Sequence, residues 1–250
     1  MKMYNCCLIN LEDMLQNGTV ISNVRIDKPH KFSTACNIAS QVIAQVASSQ
    51  FGGQSITLGH LSPFVEETRK TFRDKFPNAN EELLHDMVKS DIEAGIQTLQ
   101  YQVLTLMTTN GQAPFLTVFM NLTDVEEGSQ RDDLAMCIEE MLKQRIQGVK
   151  NTDGVYISPA FPKLIYALDE CNITKESQYF YLTELSAKCS AKRLVPDYIS
   201  TKVIKKLKNG DVFPPMGCRS FLSVDTATEN LAKANNWDRH KYHKYYGRFN

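Results

Sequence analysis

Apolar residues fall along this chain in two rhythms. Compact runs rich in aliphatic, aromatic and β-branched residues stand at Tyr4–Asn10, Phe115–Leu122 and Lys163–Asp169, the composition of strands covered on both faces. Between them the spacing lengthens to that of a helix. From Ser33, which reads as an N-cap, Ile38, Val42 and Val46 share one face as far as about Ser49, and intervening alanines keep that helix slim. From Asn80, a second cap, Leu84, Met87, Val88, Ile92, Ile96, Leu99, Val103 and Leu106 repeat at i, i+3 and i+4, long enough for about seven turns. Further helices are expected at Ser129–Gln147, Lys175–Lys192 and Pro196–Lys208. Strands alternating with helices predict an α/β architecture with a largely parallel sheet.

Composition narrows the picture without redirecting it. In 250 residues, 28 basic side chains balance 28 acidic ones, so no net field draws the chain to nucleic acid or to an anionic membrane. No run approaches the roughly 18 apolar residues of a membrane span, and the first residues lack the apolar stretch of a signal peptide. The expected location is cytoplasmic, with neither membrane nor nucleic acid as partner. The basic and aromatic stretch Lys241–Arg248 reads as a connection rather than a single-strand platform. With no repeat, linker or composition shift, residues 1–250 are expected to form one domain or part of one.

Seven cysteines in a reducing compartment read as free thiols, and none has the C-x-x-C spacing of a zinc or redox pair. Cys36, Cys137, Cys171 and Cys189 lie in or beside periodic segments and read as small buried hydrophobes. Cys218 differs. In Phe213-Pro214-Pro215-Met216-Gly217-Cys218-Arg219-Ser220-Phe221-Leu222 two prolines fix the approach and Gly217 permits a tight turn, a sequence suited to presenting a thiol at a loop tip. No histidine stands near it in sequence, but a thiol that reacts by losing a hydrogen atom needs no base. Cys6 and Cys7 sit in the first expected strand, where side chains alternate, so only one faces a given pocket. Gly52-Gly53 reads either as a helix C-cap with a turn or as bare backbone approached by a substrate.

The segment Pro215–Leu222 resembles the cysteine finger loop of anaerobic, class III, ribonucleoside-triphosphate reductases, which are glycyl radical enzymes. In the same order, Asn5–Leu11, Lys28–Cys36, Gln50–Ser55 and Pro159–Leu164 are similar to that family, so the resemblance spans nearly the whole chain. It implies part of a ten-stranded α/β barrel of two parallel five-stranded halves, with 1–250 forming the first half through the finger loop. It implies reduction of ribonucleoside triphosphates to 2′-deoxyribonucleoside triphosphates by a thiyl radical. Cys218 would abstract the ribose 3′ hydrogen, Cys7 would serve the 2′ face with Cys6 pointing away, and Asn250, closing Gly247-Arg248-Phe249-Asn250, would hydrogen-bond in the active site. Ser33, Gly52, Gly53 and Gln54 are expected at the substrate.

By the same resemblance no metal or cofactor is expected within this chain. The glycyl radical and the zinc site belong to the family's C-terminal part, and formate is the implied reductant. Implied partners are deoxynucleotide or ATP effectors, the missing C-terminal half, a radical S-adenosylmethionine activating enzyme and a second copy in a homodimer, with the long helix after Asn80 as the effector face. The alternative is a truncated, non-catalytic remnant or nucleotide-binding module.

Overall fold

The structure, a computed structural model, describes residues 6–49, 52–109, 111–207, 212 and 214–216. Its elements run β1 (Cys7–Leu8), α1 (Leu11–Gln16), β2 (Thr19–Ile21), β3 (Val24–Ile26), α2 (Phe32–Ser49), β4 (Gln54–Thr57), α3 (Pro63–Lys75), α4 (Glu81–Thr105), β5 (Leu116–Met120), α5 (Ser129–Gln147), β6 (Val149–Lys150), β7 (Tyr156–Ile157), β8 (Lys163–Leu168), α6 (Phe180–Arg193), β9 (Asp197–Ser200) and α7 (Thr201–Leu207). Five strands make one parallel sheet in the order β1-β4-β5-β8-β9, so spatial order follows chain order. The pairs β2–β3 and β6–β7 form small antiparallel hairpins inside the crossovers.

The two faces of the sheet are unlike. Ile56, Leu116, Val118, Met120, Leu164 and Tyr166 point into one large core shared with α1 through α6. The residues between them point the other way, where Phe119, Ile165 and Ala167 form a second, smaller apolar cluster with Ile199 and Val212. Helices therefore cover one face, and the near-continuous apolar reading of β5 and β8 reflects burial on both.

Local chemistry explains the helix ends. Asn80 caps α4 by accepting from the Leu83 amide at 2.8 Å. At α2 the cap comes from another helix. Asp91 of α4 accepts from the Ser33 amide at 3.1 Å and from its hydroxyl at 2.6 Å, while the Phe32 amide donates to Thr68 of α3 at 2.7 Å. Gly95 makes this approach possible, because a Cβ there would stand 2.7 Å from the Phe32 ring. Ser33 is thus inside the helix it was expected to cap, its hydroxyl already committed.

Two elements depart from the sequence reading. The segment expected as a helix over Pro196–Lys208 opens with β9, the fifth strand, and only Thr201–Leu207 is helical. Residues Lys175–Tyr179, expected in a helix, instead lie in turns held by Ser177 and Asn172, and α6 begins at Phe180.

Candidate functional site

On the face opposite the described helices, the register aligns Leu8 with Ser55, Ser55 with Thr117, and Thr117 with Lys163. Ser55 and Thr117 are both fully buried. Against this row lie Pro214, Pro215 and Met216, which are buried although no strand or helix contains them. The Ser55 hydroxyl donates to the Pro215 carbonyl at 2.9 Å, and its Oγ also stands 3.8 Å from Met216 Sδ. Val212 packs on Phe119, Ile165 and Ala167 farther along. The stem of the cysteine-bearing segment therefore runs across the sheet face opposite the described helices.

Cys218 and Asn250 lie outside the described residues. Of the strand cysteines, Cys7 is in register with Gln54 and packs with Ile9 in the helix-side core. Burial, and secondarily the neighbouring Cys6, pushes its thiol up to about 12. Alternation then turns Cys6 and Leu8 to the other side, with Cys6 Sγ accepting from the Gly53 amide at 3.3 Å. Cys7 therefore packs on the helix side, against the expectation that it faces the loop, which leaves Cys6 as the candidate for the other side.

The expected substrate contacts are dispersed as well. Ser33 is at the α2–α4 junction, bound to Asp91. Gln54 shares the helix side with Cys7 and Ile56, and its amide nitrogen donates back to the Gly52 carbonyl at 2.8 Å, leaving Oε1 buried without a partner. The direction a side chain would take at Gly53 is filled by the Phe115 ring, 2.9 Å from an added Cβ. That ring also stacks on Phe161 at 4.5 Å between centroids and carries Lys163 Nζ 5.3 Å from its own centroid. The segments around Gly53 and Phe161 thus meet at the N-terminal edge of the sheet, around Phe115, rather than around an open subsite.

Behind that edge, Arg145 of α5 is almost wholly buried and donates to the carbonyls of Pro159 at 2.9 Å and Pro162 at 2.5 Å, fixing the loop into β8. Burial lowers its guanidinium to about 10. Among the described residues no cluster of three or more His, Cys, Asp or Glu side chains is arranged to hold a metal. Nor is any described helix long and apolar enough to cross a membrane. Ser55, the residue that ties sheet to loop, closes the family-like stretch Gln50–Ser55 but was not among the residues expected at the substrate, which ended at Gln54. Besides that motif, its signal was a polar residue next to apolar Ile56 in a short strand that is buried throughout.

The sequence model of the anaerobic ribonucleoside-triphosphate reductase family matches residues 1–250. The chain belongs to that family. It is 36% identical over 247 residues to the anaerobic ribonucleoside-triphosphate reductase of Enterobacteria phage T4, covering 93% of this chain and 39% of the relative. It is also 36% identical over 230 residues to that of Escherichia coli, covering 89% and 31%. The chain therefore spans about a third of the length of these reductases. Among solved structures, the Thermotoga maritima anaerobic ribonucleotide reductase in complex with dATP and CTP superimposes with a TM-score of 0.51 at 17% identity, over 76% of this chain and 32% of that one. Another anaerobic ribonucleotide reductase gives 0.57 at 16% identity, over 85% and 34%. These neighbours share the fold. The parallel α/β expectation holds, as one five-stranded parallel sheet among the described residues.

Proposed function

We propose that this chain supplies the loop-bearing half of the catalytic barrel of an anaerobic ribonucleoside-triphosphate reductase, and that the complete enzyme converts ribonucleoside triphosphates to their 2′-deoxy forms. The observation that carries the reading is the path of Pro214–Met216 across the sheet face opposite the described helices, held by Ser55, two residues before Cys218 in sequence. A C–H bond beside a hydroxyl resists removal as a proton at neutral pH, whereas a sulfur-centred radical takes the hydrogen atom in a nearly balanced step. Cys218 is the proposed abstracting thiol. Cys6, on the loop side of β1, replaces Cys7 as the proposed second thiol, which gives a hydrogen at the 2′ position as the hydroxyl leaves as water. An apolar surround of Leu8, Phe119 and Ile165 suits such chemistry by keeping water from reactive intermediates.

The radical itself, generated on a glycine by an S-adenosylmethionine-dependent activating enzyme, the zinc site and the formate reductant are assigned to parts of the enzyme outside this chain. Asn250 is retained as a proposed hydrogen-bonding residue. A homodimer with effector nucleotide at α4 and a cytoplasmic setting complete the proposal. In the Thermotoga neighbour, dATP and CTP are the bound nucleotides, which supports a nucleotide triphosphate substrate and a deoxynucleotide effector here.

The test is anaerobic turnover by the complete enzyme carrying Cys218→Ser. Glycyl radical, measured by electron paramagnetic resonance, is expected to form normally while deoxynucleotide product falls by at least about 1,000-fold, because only hydrogen abstraction has been removed. Product within tenfold of the parent would overturn the assignment. Nucleotide binding by the parent without any turnover would favour the binding-module reading instead.

A further inference from the structure

The Ser55 hydroxyl hydrogen-bonds to the cysteine-bearing segment, donating to the Pro215 carbonyl 160 residues away in sequence. Three features make this more than incidental packing. The hydroxyl is fully buried and its partner is a backbone carbonyl. Pro214 and Pro215 donate no amide hydrogen bonds, so this stretch of backbone can be fastened only through its carbonyls. The Met216 sulfur stands 3.8 Å from the Ser55 hydroxyl oxygen, and Met216 is itself buried. On the far side, Val212 is seated in the Phe119–Ile165–Ala167 cluster. The stem is thus held at two points, one apolar and adaptable, the other a directional hydrogen bond.

We infer that Ser55 is a positioning residue for the cysteine-bearing segment: its hydrogen bond to the Pro215 carbonyl fixes the described stem Pro214–Met216 against the sheet, two residues ahead of Cys218 in sequence. A near-attack geometry tolerates little displacement, and a shift of about 1 Å costs on the order of 100-fold in rate. Apolar contacts alone fix a proline-rich strand loosely along its length. A single hydrogen bond with a defined direction fixes its height. Thr117, the register neighbour of Ser55, has a buried hydroxyl with no hydrogen-bond partner, so its side chain adds no second tie of this kind. The inference rests on the reading of Cys218 as the reacting thiol for its catalytic consequence, but not for its positional one.

The experiment compares Ser55→Ala and Ser55→Thr in the complete enzyme, with two independent readouts. The first is the rate at which maleimide labels Cys218, resolved by peptide mass spectrometry, with Cys171 as internal reference. Ser55→Ala is expected to change the Cys218 rate at least fivefold and leave Cys171 unchanged. Ser55→Thr, which keeps the donor, is expected to recover most of that change. The second is anaerobic turnover, where Ser55→Ala is expected to lower kcat at least tenfold, with KM and glycyl-radical yield within twofold. Should Ser55→Ala fail to fold, Ser55→Cys keeps the volume while weakening the donor and carries the same expectations. Cys218 labelling unaltered by loss of the donor would overturn the inference whatever the turnover. Altered labelling, together with turnover that survives Cys218→Ser, would sink the proposed function and leave the positioning role standing.

Discussion

Burial sorts the cysteines into groups with different duties. Cys36, Cys137 and Cys189 are buried among helices, with thiols pushed up chiefly by desolvation, Cys189 to about 11. Cys7 belongs with them in environment although it lies on a strand. A rise from 9.0 to about 12 reduces the thiolate fraction at pH 8 by about 1,000-fold, so iodoacetamide at that pH is expected to modify Cys7 at least 100-fold more slowly in the folded than in the unfolded chain. Comparable rates would place Cys7 on the loop side after all. In turnover, Cys6→Ala is expected to abolish deoxynucleotide formation, whereas Cys7→Ala keeps more than a tenth of it. The opposite ranking would restore Cys7 as the second thiol. The adjacent pair was legible in sequence as one facing each way, but the choice between them depended on register with β4, which a single strand does not encode.

At the level of elements, the long helices were legible because each carries its own apolar stripe and, for α4, its own cap. The cap of α2 was not, because its acceptor sits 58 residues downstream on α4. The fifth strand was missed because Asp197-Tyr198-Ile199-Ser200 is short and runs directly into α7, so that Ile199 and Ile204 blend into one apparent pattern. The α2 junction makes a sharp prediction. Asp91→Ala removes the acceptor for the Ser33 amide and hydroxyl and for Thr68, and is expected to destabilise the fold by about 1–3 kcal/mol in urea unfolding. Ser33→Ala is expected to cost about 0.5–1.5 kcal/mol, one hydrogen bond's net worth, with nucleotide KM unchanged within twofold. A tenfold rise in KM would return Ser33 to the substrate.

For the molecule as a whole, the buried thiols make stability fall at alkaline pH. Cys7, Cys36, Cys137 and Cys189 have folded-state values above their ordinary 9.0. Above pH 9 the unfolded chain releases these protons while the folded chain retains them, so the unfolded state gains. The contribution is whole below pH 9 and is lost as pH rises toward 12. Urea midpoints measured from pH 8 to pH 10.5 are expected to decline, and less steeply in Cys36→Ala than in the parent once each is normalised to its own pH 8 value. Equal slopes would show that Cys36 ionises freely in the folded protein. The α/β class and the parallel sheet were legible from alternation of periods, and the family from ordered motifs. The division of labour between the two faces of the sheet was not, since it depends on how five strands align.

The agreement of spatial with chain order has a consequence for how the protein is made. Each sheet strand pairs first with the one just before it, so the sheet can be laid down from its N-terminal edge as the polypeptide leaves the ribosome, without any strand waiting for a later partner. The tie between Ser55 and Pro215 is of the opposite kind, closing a span of 160 residues. Loop closure of that length is favourable only after the intervening chain is ordered. The Pro214–Met216 stem therefore belongs to the last stage of biogenesis: it is tied down only when the strands it crosses are in place.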